Sequence, residues 1–316
     1  MKVSDFIKSN DKLRISFEII PPLRGGNISD LQRIIQDLAL YNPPFIDVTS
    51  HSAEVIYEET LNGVQRKVKR KRPGTLGICA LIQNKYNIDA VPHILCNGFT
   101  KEETEDFLIE LRYLGIQNVL ALRGDEPSFK KEVSSGRSIN NYAIDLVKQI
   151  KDLNNGIYLE KDLLNAEKSD FCIGVAGYPE KHFEAPNLDI DIDFLKAKVD
   201  AGADYIVTQM FYDNDKFYNF VDLCRKKGIN VPIIPGLKII TTKTQLTTIP
   251  KNFYIDIPNE LVNKIYHAQP EDVMNIGVDW SLKQIEDLFK NGYNLIHFYV
   301  MLNTRPIKIL MDKLKL

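Results

Sequence analysis

Residues 14–22 read RISFEIIPP, and the alternation within them decides the fold. Period two sets Arg14, Ser16 and Glu18 on one face of a strand and Ile15, Phe17 and Ile19 on the other. The apolar face is expected to meet helices, so Glu18 points into a barrel.

Working outward, seven more short apolar segments qualify as strands: 45–49 (FIDVT), 93–96 (HILC), 118–122 (NVLAL), 171–175, 205–210 (YIVTQM), 231–237 (VPIIPGL) and 294–300 (NLIHFYV). Helical patterns fill the gaps, from near Ser29, over 54–71, 75–86, 100–114, 141–153, 192–201 and 214–227, with two helices expected before the last strand. Thr100 and Glu103 form a capping-box pattern at one helix start. Eight strand–helix alternations without a shift in composition predict an α/β fold, a (β/α)8 TIM barrel. It is read as one domain over residues 1–316, with a core from about residue 13 to about residue 305.

Bulk properties exclude several function classes. Forty basic against 42 acidic residues give a formal charge of -2, no electrostatic reason to expect nucleic acid. The run RKVKRKR, 66–72, reads as a solvated helix end or as a phosphate contact on a cofactor or partner. No segment approaches the roughly 20 apolar residues of a membrane span, and the start has no signal-peptide character. Cys79, Cys96, Cys172 and Cys224 include no CxxC pair. They read as buried thiols of a reducing compartment, and a cytoplasmic location follows.

Polar residues at strand ends carry the candidate chemistry, because a barrel places its reactions there. Glu18 in a poorly solvated interior has its pKa raised and becomes a proton donor near neutrality. Its other reading is a structural carboxylate paired with Arg14 or another barrel arginine. In LALRGDEP, Gly124 permits a tight turn that exposes backbone N–H groups. There Arg123 suits a phosphate or carboxylate and Asp125 a ligand ring, a loop salt bridge being the alternative. Gln209 shares the parity of Tyr205 and Val207, and its amide suits a heterocycle or a backbone partner. Thr49 ends the second strand. His93 and His297 lie on strands, and His182 follows one. Tyr178 can cover an aromatic cofactor. No HExxH spacing supports a metal, and neither GxGxxG nor GxxxxGK[ST] is present.

Several strings taken in order then form a pattern: FEIIPP from Phe17, VTSH from Val48, PHILCNGFT from Pro92 and NVLALRGDEP from Asn118. GVAGYPEKHFEA from Gly174, DFLKAKVDAGADYIVTQMFYD from Asp193, VPIIPGL from Val231 and IHFYVMLNTR from Ile296 continue it. Together they resemble the methylenetetrahydrofolate reductase family, in the short form with the catalytic barrel only and no regulatory domain. The resemblance implies an FAD enzyme that reduces 5,10-methylenetetrahydrofolate to 5-methyltetrahydrofolate, with hydride passed from NADH or NADPH through the flavin. It implies Glu18 as general acid, Asp125 near flavin and pterin, and Gln209 and Arg305 on the folate. It implies Thr49, His93, Arg123, Gly124, Asp125, Tyr178, His182, Asp191 and Lys198 as FAD contacts.

Three departures accompany it. Phe194 and Ala197 stand where the family often has Asn and Arg. The last strand reads HFYVMLNTRP instead of HFYTLNR, and Ser50-His51 follows Thr49 where a tyrosine is usual. Two other readings therefore stay open. In one the barrel draws electrons from a partner subunit or ferredoxin; in the other it is a non-catalytic folate-binding subunit. Self-association into a homo-oligomer is expected, as barrels commonly pair.

Overall fold

The computed structural model describes residues 1–8, 12–124, 133 and 135–314. The chain opens with helix α1 (Val3–Lys8), strand β1 (Arg14–Ile19) and α2 (Ile28–Ala39). Strand β2 (Phe45–Val48) leads into a two-stranded hairpin, β3 (Glu54–Thr60) and β4 (Gly63–Lys69). Then α3 (Leu76–Tyr86), β5 (Asp89–Leu95), α4 (Lys101–Tyr113), β6 (Asn118–Leu122), α5 (Ala143–Asn154), β7 (Cys172–Gly177) and α6 (Leu188–Asp200) alternate. They are followed by β8 (Tyr205–Thr208), α7 (Asn214–Lys226), β9 (Ile233–Ile234) and β10 (Gly236–Leu237). Helices α8 (Gln245–Phe253), α9 (Asn259–His267) and α10 (Val273–Lys290) precede β11 (Leu295–Met301) and α11 (Arg305–Leu314).

The main sheet is parallel and runs β10-β11-β1-β2-β5-β6-β7-β8-β9. Its two ends are halves of one strand. Ile233-Ile234 pair with β8, Gly236-Leu237 pair with β11, and only Pro235 lies between them. Proline has no N–H to give; its carbonyl instead accepts from the His297 N–H at 2.9 Å. Eight strands thus close into a barrel, as the alternation predicts.

The period-two reading of β1 holds. Ile15, Phe17 and Ile19 pack among the helices in the large outer core, while Ser16 and Glu18 face inward and are buried. A second cluster fills the lower interior: Phe45, Val91, Leu120, Cys172, Tyr205, Val207, Ile234 and Leu295, plugged from below by Val3 of α1. Glycine makes room for two tyrosines in this interior. A Cβ on Gly174 would lie 2.4 Å from the Tyr205 ring, and one on Gly236 2.8 Å from that of Tyr299.

Two expectations need correction. Residues 54–71 form a hairpin, not a helix, so RKVKRKR lies on β4 and just beyond it instead of at a helix end. Alternating side chains and the tight Leu61-Asn62 turn into Gly63, which has φ +114°, favour the hairpin. Three helices, not two, separate the seventh and eighth barrel strands. The four cysteines are free and buried, as expected. Among the described residues no helix is long and apolar enough to cross a membrane.

Candidate active site

The β1 carboxylate meets an imidazole. Oε2 of Glu18 lies 3.4 Å from Nε2 of His93 on β5. Arg14, the one structural partner named for it by number, instead sits over the Phe6 ring at 5.7 Å. Burial pushes the Glu18 carboxyl up to about 7, against the pull of His93 and Lys238 and with a further push from Asp47. Burial pushes the His93 imidazole down, opposed by Glu18. A carboxyl raised to near neutrality can keep a proton at physiological pH, which suits a general acid.

Strand register brings further groups to this point. Glu18 pairs across with Asp47 on β2 and with Tyr299 on β11. Asp47 is fully buried, and burial drives its carboxyl well above the usual range. The Tyr299 hydroxyl donates to the Thr208 carbonyl at 2.6 Å. Lys238, just after β10, donates to the Tyr299 carbonyl at 3.3 Å; burial lowers its pKa while Glu18 raises it. One layer down, Ser16 Oγ and His297 Nδ1 are 2.9 Å apart.

A second group collects at the ends of β6 and β7. Arg123 forms a 2.7 Å ion pair with Glu184, and that hydrogen bond holds the Glu184 carboxyl below its ordinary value. The His182 N–H donates to Asp191 Oδ2 at 2.8 Å. The Tyr178 and His182 rings meet edge to face, centroids 4.8 Å apart. Lys198 donates to the Ala176 carbonyl at 2.8 Å, and burial pushes its amine down to about 8 against the pull of Asp191. Gly124 has φ +85°, the left-handed turn read from the sequence.

The structure thus brings together Arg123, Gly124, Tyr178, His182, Asp191 and Lys198 in one group, and Glu18 with His93 in another. Thr49 follows β2, its N–H bonded to the Ile19 carbonyl at 3.0 Å. Gln209 follows β8; its N–H donates to the Gly177 carbonyl and its side-chain oxygen accepts from the Met210 N–H at 3.0 Å. Arg305 is exposed at the start of α11, on the rim of a cavity of about 650 Å3 between the β1 and β11 loops. A cavity of about 350 Å3 opens beside His93, toward Ser50, Arg70 and Phe99. Asp125 lies outside the described residues.

The sequence reading omits Asp47, Lys238, Tyr299 and Glu184. For Asp47 a signal exists, a carboxylate in mid-strand in FIDVT. None exists for the Arg123–Glu184 pair, which joins two loops.

FAD demands cations for its phosphates, aromatic or imidazole rings and unfilled hydrogen-bonding groups. Arg123 and Lys198 would supply the charge, and Tyr178 and His182 the rings. Buried Thr49 Oγ1 has no hydrogen-bond partner, so it has capacity left for a ligand. The residues present fit the group.

Known proteins resemble this chain throughout its length. A family model described as methylenetetrahydrofolate reductase matches residues 2–315. Methylenetetrahydrofolate reductase 1 of Schizosaccharomyces pombe is 32% identical, covering 100% of this chain and 49% of that protein. The 5,10-methylenetetrahydrofolate reductase of Buchnera aphidicola is 31% identical, covering 92% of this chain and 88% of that protein. The chain spans about half the length of the first curated relatives it matches. Among solved structures, a Clostridium thermocellum protein described as binding two copies of 5-methyl-5,6,7,8-tetrahydrofolic acid aligns with a TM-score of 0.61. It is 13% identical and both chains are 99% covered, a likeness of fold alone. Taken with the barrel, the model match and these identities mean that the chain belongs to the methylenetetrahydrofolate reductase family.

Proposed function

We propose that this chain reduces 5,10-methylenetetrahydrofolate to 5-methyltetrahydrofolate with FAD as cofactor, NADH or NADPH as donor and Glu18 as general acid. The observation that carries the reading is Glu18 at the upper end of β1, buried 3.4 Å from the His93 ring, where burial pushes its carboxyl up to about 7. When bound, FAD supplies the hydride to the one-carbon group.

The chain's own residues do the rest. Glu18 holds a proton for N10 of the substrate, so that the methylene bridge opens. Gln209 orients the pterin through its amide, and Asp125 completes the pterin contacts. Arg123 and Lys198 offset phosphate charge, while Tyr178 and His182 wall the ring system. To take up phosphate, Arg123 exchanges its bond to Glu184 for one to the ligand. Arg305, exposed on the rim, suits the carboxylates of the folate tail. The folate ligand of the structurally similar Clostridium thermocellum protein is consistent with this substrate class.

A second reading rests on α6. Phe194 shares the helix face of Asp191 and Lys198 and is 59% exposed. An apolar side chain where the family has polar ones is compatible with electrons arriving from a partner protein.

Purified protein should show a flavin spectrum that NADH or NADPH bleaches without air. Bleaching only by a reduced partner protein favours the second reading. Glu18→Gln should keep flavin and its bleaching but lose folate turnover by about 100-fold or more, the scale of general acid catalysis. Normal turnover in that variant sinks the acid assignment.

A further inference from the structure

The interior below Glu18 contains more unpartnered polar atoms than a lone acid explains. Both carboxyl oxygens of Asp47 and Nε2 of His93 are buried without a hydrogen-bond partner. Nε2 of His297 and the Tyr205 hydroxyl share that condition. Native proteins rarely leave such groups idle unless they serve a reaction or hold water.

Their arrangement is specific. β2 runs between β1 and β5, so Asp47 sits beside Glu18 in register and beside the strand that carries His93. Nε2 of His93 is 3.4 Å from Oε2 of Glu18 and 3.4 Å from Oδ2 of Asp47. One nitrogen thus faces two carboxyls, and a nitrogen engages one proton at a time. The remaining titratable groups around them are Lys238, Tyr299, His297, Tyr205 and the Cys79 thiol, which burial and Asp47 hold protonated. Lys238 and Tyr299 already donate to backbone carbonyls, and His297 Nδ1 meets Ser16. No group of three His, Cys, Asp or Glu side chains able to hold a metal is found among the described residues.

Resting on the reading that Glu18 is the acid, we propose that Asp47 is a positioning residue that shares a proton with Glu18 across Nε2 of His93. Two ionised carboxylates in so dry an interior repel, so the pair gives up one proton and retains the next. The retained proton is available to Glu18 after the first has gone. When Glu18 has protonated a substrate nitrogen, a proton on Asp47 passes through Nε2 to refill it, and after product leaves the pair regains one proton from solvent through Glu18, the less buried of the two carboxyls. No bond other than those to hydrogen forms or breaks. Burial raises both carboxyls, the condition under which such sharing falls near neutral pH.

Asp47→Asn keeps the shape and removes the second acid. In cofactor-free wild-type protein, the protonated-carboxyl stretch seen by infrared difference spectroscopy should fade in two steps as pH rises. In Asp47→Asn it should fade in one step, below the second wild-type step. In flavin-loaded protein the alkaline limb of the folate half-reaction should move down with it, about tenfold in rate per pH unit beyond the limb. Asp47→Ser should behave alike. A merely structural Asp47 would lower stability without moving either titration. A one-step titration in wild type overturns the proposal with no variant needed, as does an unmoved limb in Asp47→Asn. If the infrared steps appear while Glu18→Gln turns over normally, the pair stands and the acid reading fails.

Discussion

Glu18 and His297 share the barrel interior yet shift in opposite senses, and pH should expose this. Burial, helped by His93, holds the His297 ring neutral down to about 3, against an ordinary 6.5. Below 6.5 an unfolded chain takes up a proton that the folded one refuses, so stability is lost as pH falls from 6.5 toward 3. The slope is about 1.4 kcal/mol per pH unit. Glu18 works the other way: the folded chain keeps a proton between 4.5 and 7 that the unfolded chain releases. Its contribution is present at acid pH and lost as pH rises through 7. His297→Gln should flatten the acid-side decline in urea stability measured against pH; an unchanged slope would show that this ring is not the cause. At this scale the sequence was partly legible. Alternation exposes Glu18 because a charge in an apolar strand has one inward side to take. The same alternation places Asp47 on the inner face of FIDVT, but Thr49 at the strand end draws the eye from it. Lys238 and Glu184 acquire meaning only through neighbours distant in sequence, and no local pattern records such pairs.

Among the elements, the barrel strands and the helices between them up to α7 were readable within a few residues, since their apolar periods match their burial, while α11 was not read. Nor was the hairpin. Dense charge between Glu54 and Lys71 reads as a solvated helix when the dyad rhythm of Val55, Tyr57, Val64, Arg66 and Val68 is passed over. Asn62-Gly63 was the available hairpin signal. Tyr57, Leu61, Val64 and Val68 are exposed, and β3 and β4 bond only to each other in sheet pairing. A lone two-stranded hairpin adds little stability in water. Excising residues 56–67 and joining Val55 to Val68 through two glycines should change barrel stability by less than about 1 kcal/mol in chemical denaturation. A larger loss would mean that the hairpin supports the barrel.

For the whole molecule, closure was legible as a count of eight alternations, whereas the plug beneath it was not. α1 is too short to announce itself. Its role depends on Val3 being fully buried and donating its N–H to Asn118 Oδ1 at 2.9 Å. The Met1 ammonium meets Asp89 at 2.9 Å, fixing the same end. Val3→Asp puts a carboxylate into the lower apolar cluster and should cost about 3 kcal/mol or more. Urea denaturation with Trp280 fluorescence would measure it, and a loss below 1 kcal/mol, about the scale of a trimmed methyl group, would mean the plug is loose.

Barrel closure also sets an order of events. Ser16 and its partner His297 are 281 positions apart, and β1 obtains its second neighbour only from β11. A chain emerging from a ribosome therefore carries β1 with one edge open until β11 has been made. Closing so long a loop carries an entropic cost before any contact offsets it, and folds dominated by such distant pairings assemble slowly. The first barrel strand in chain order is thus among the last to gain both of its neighbours.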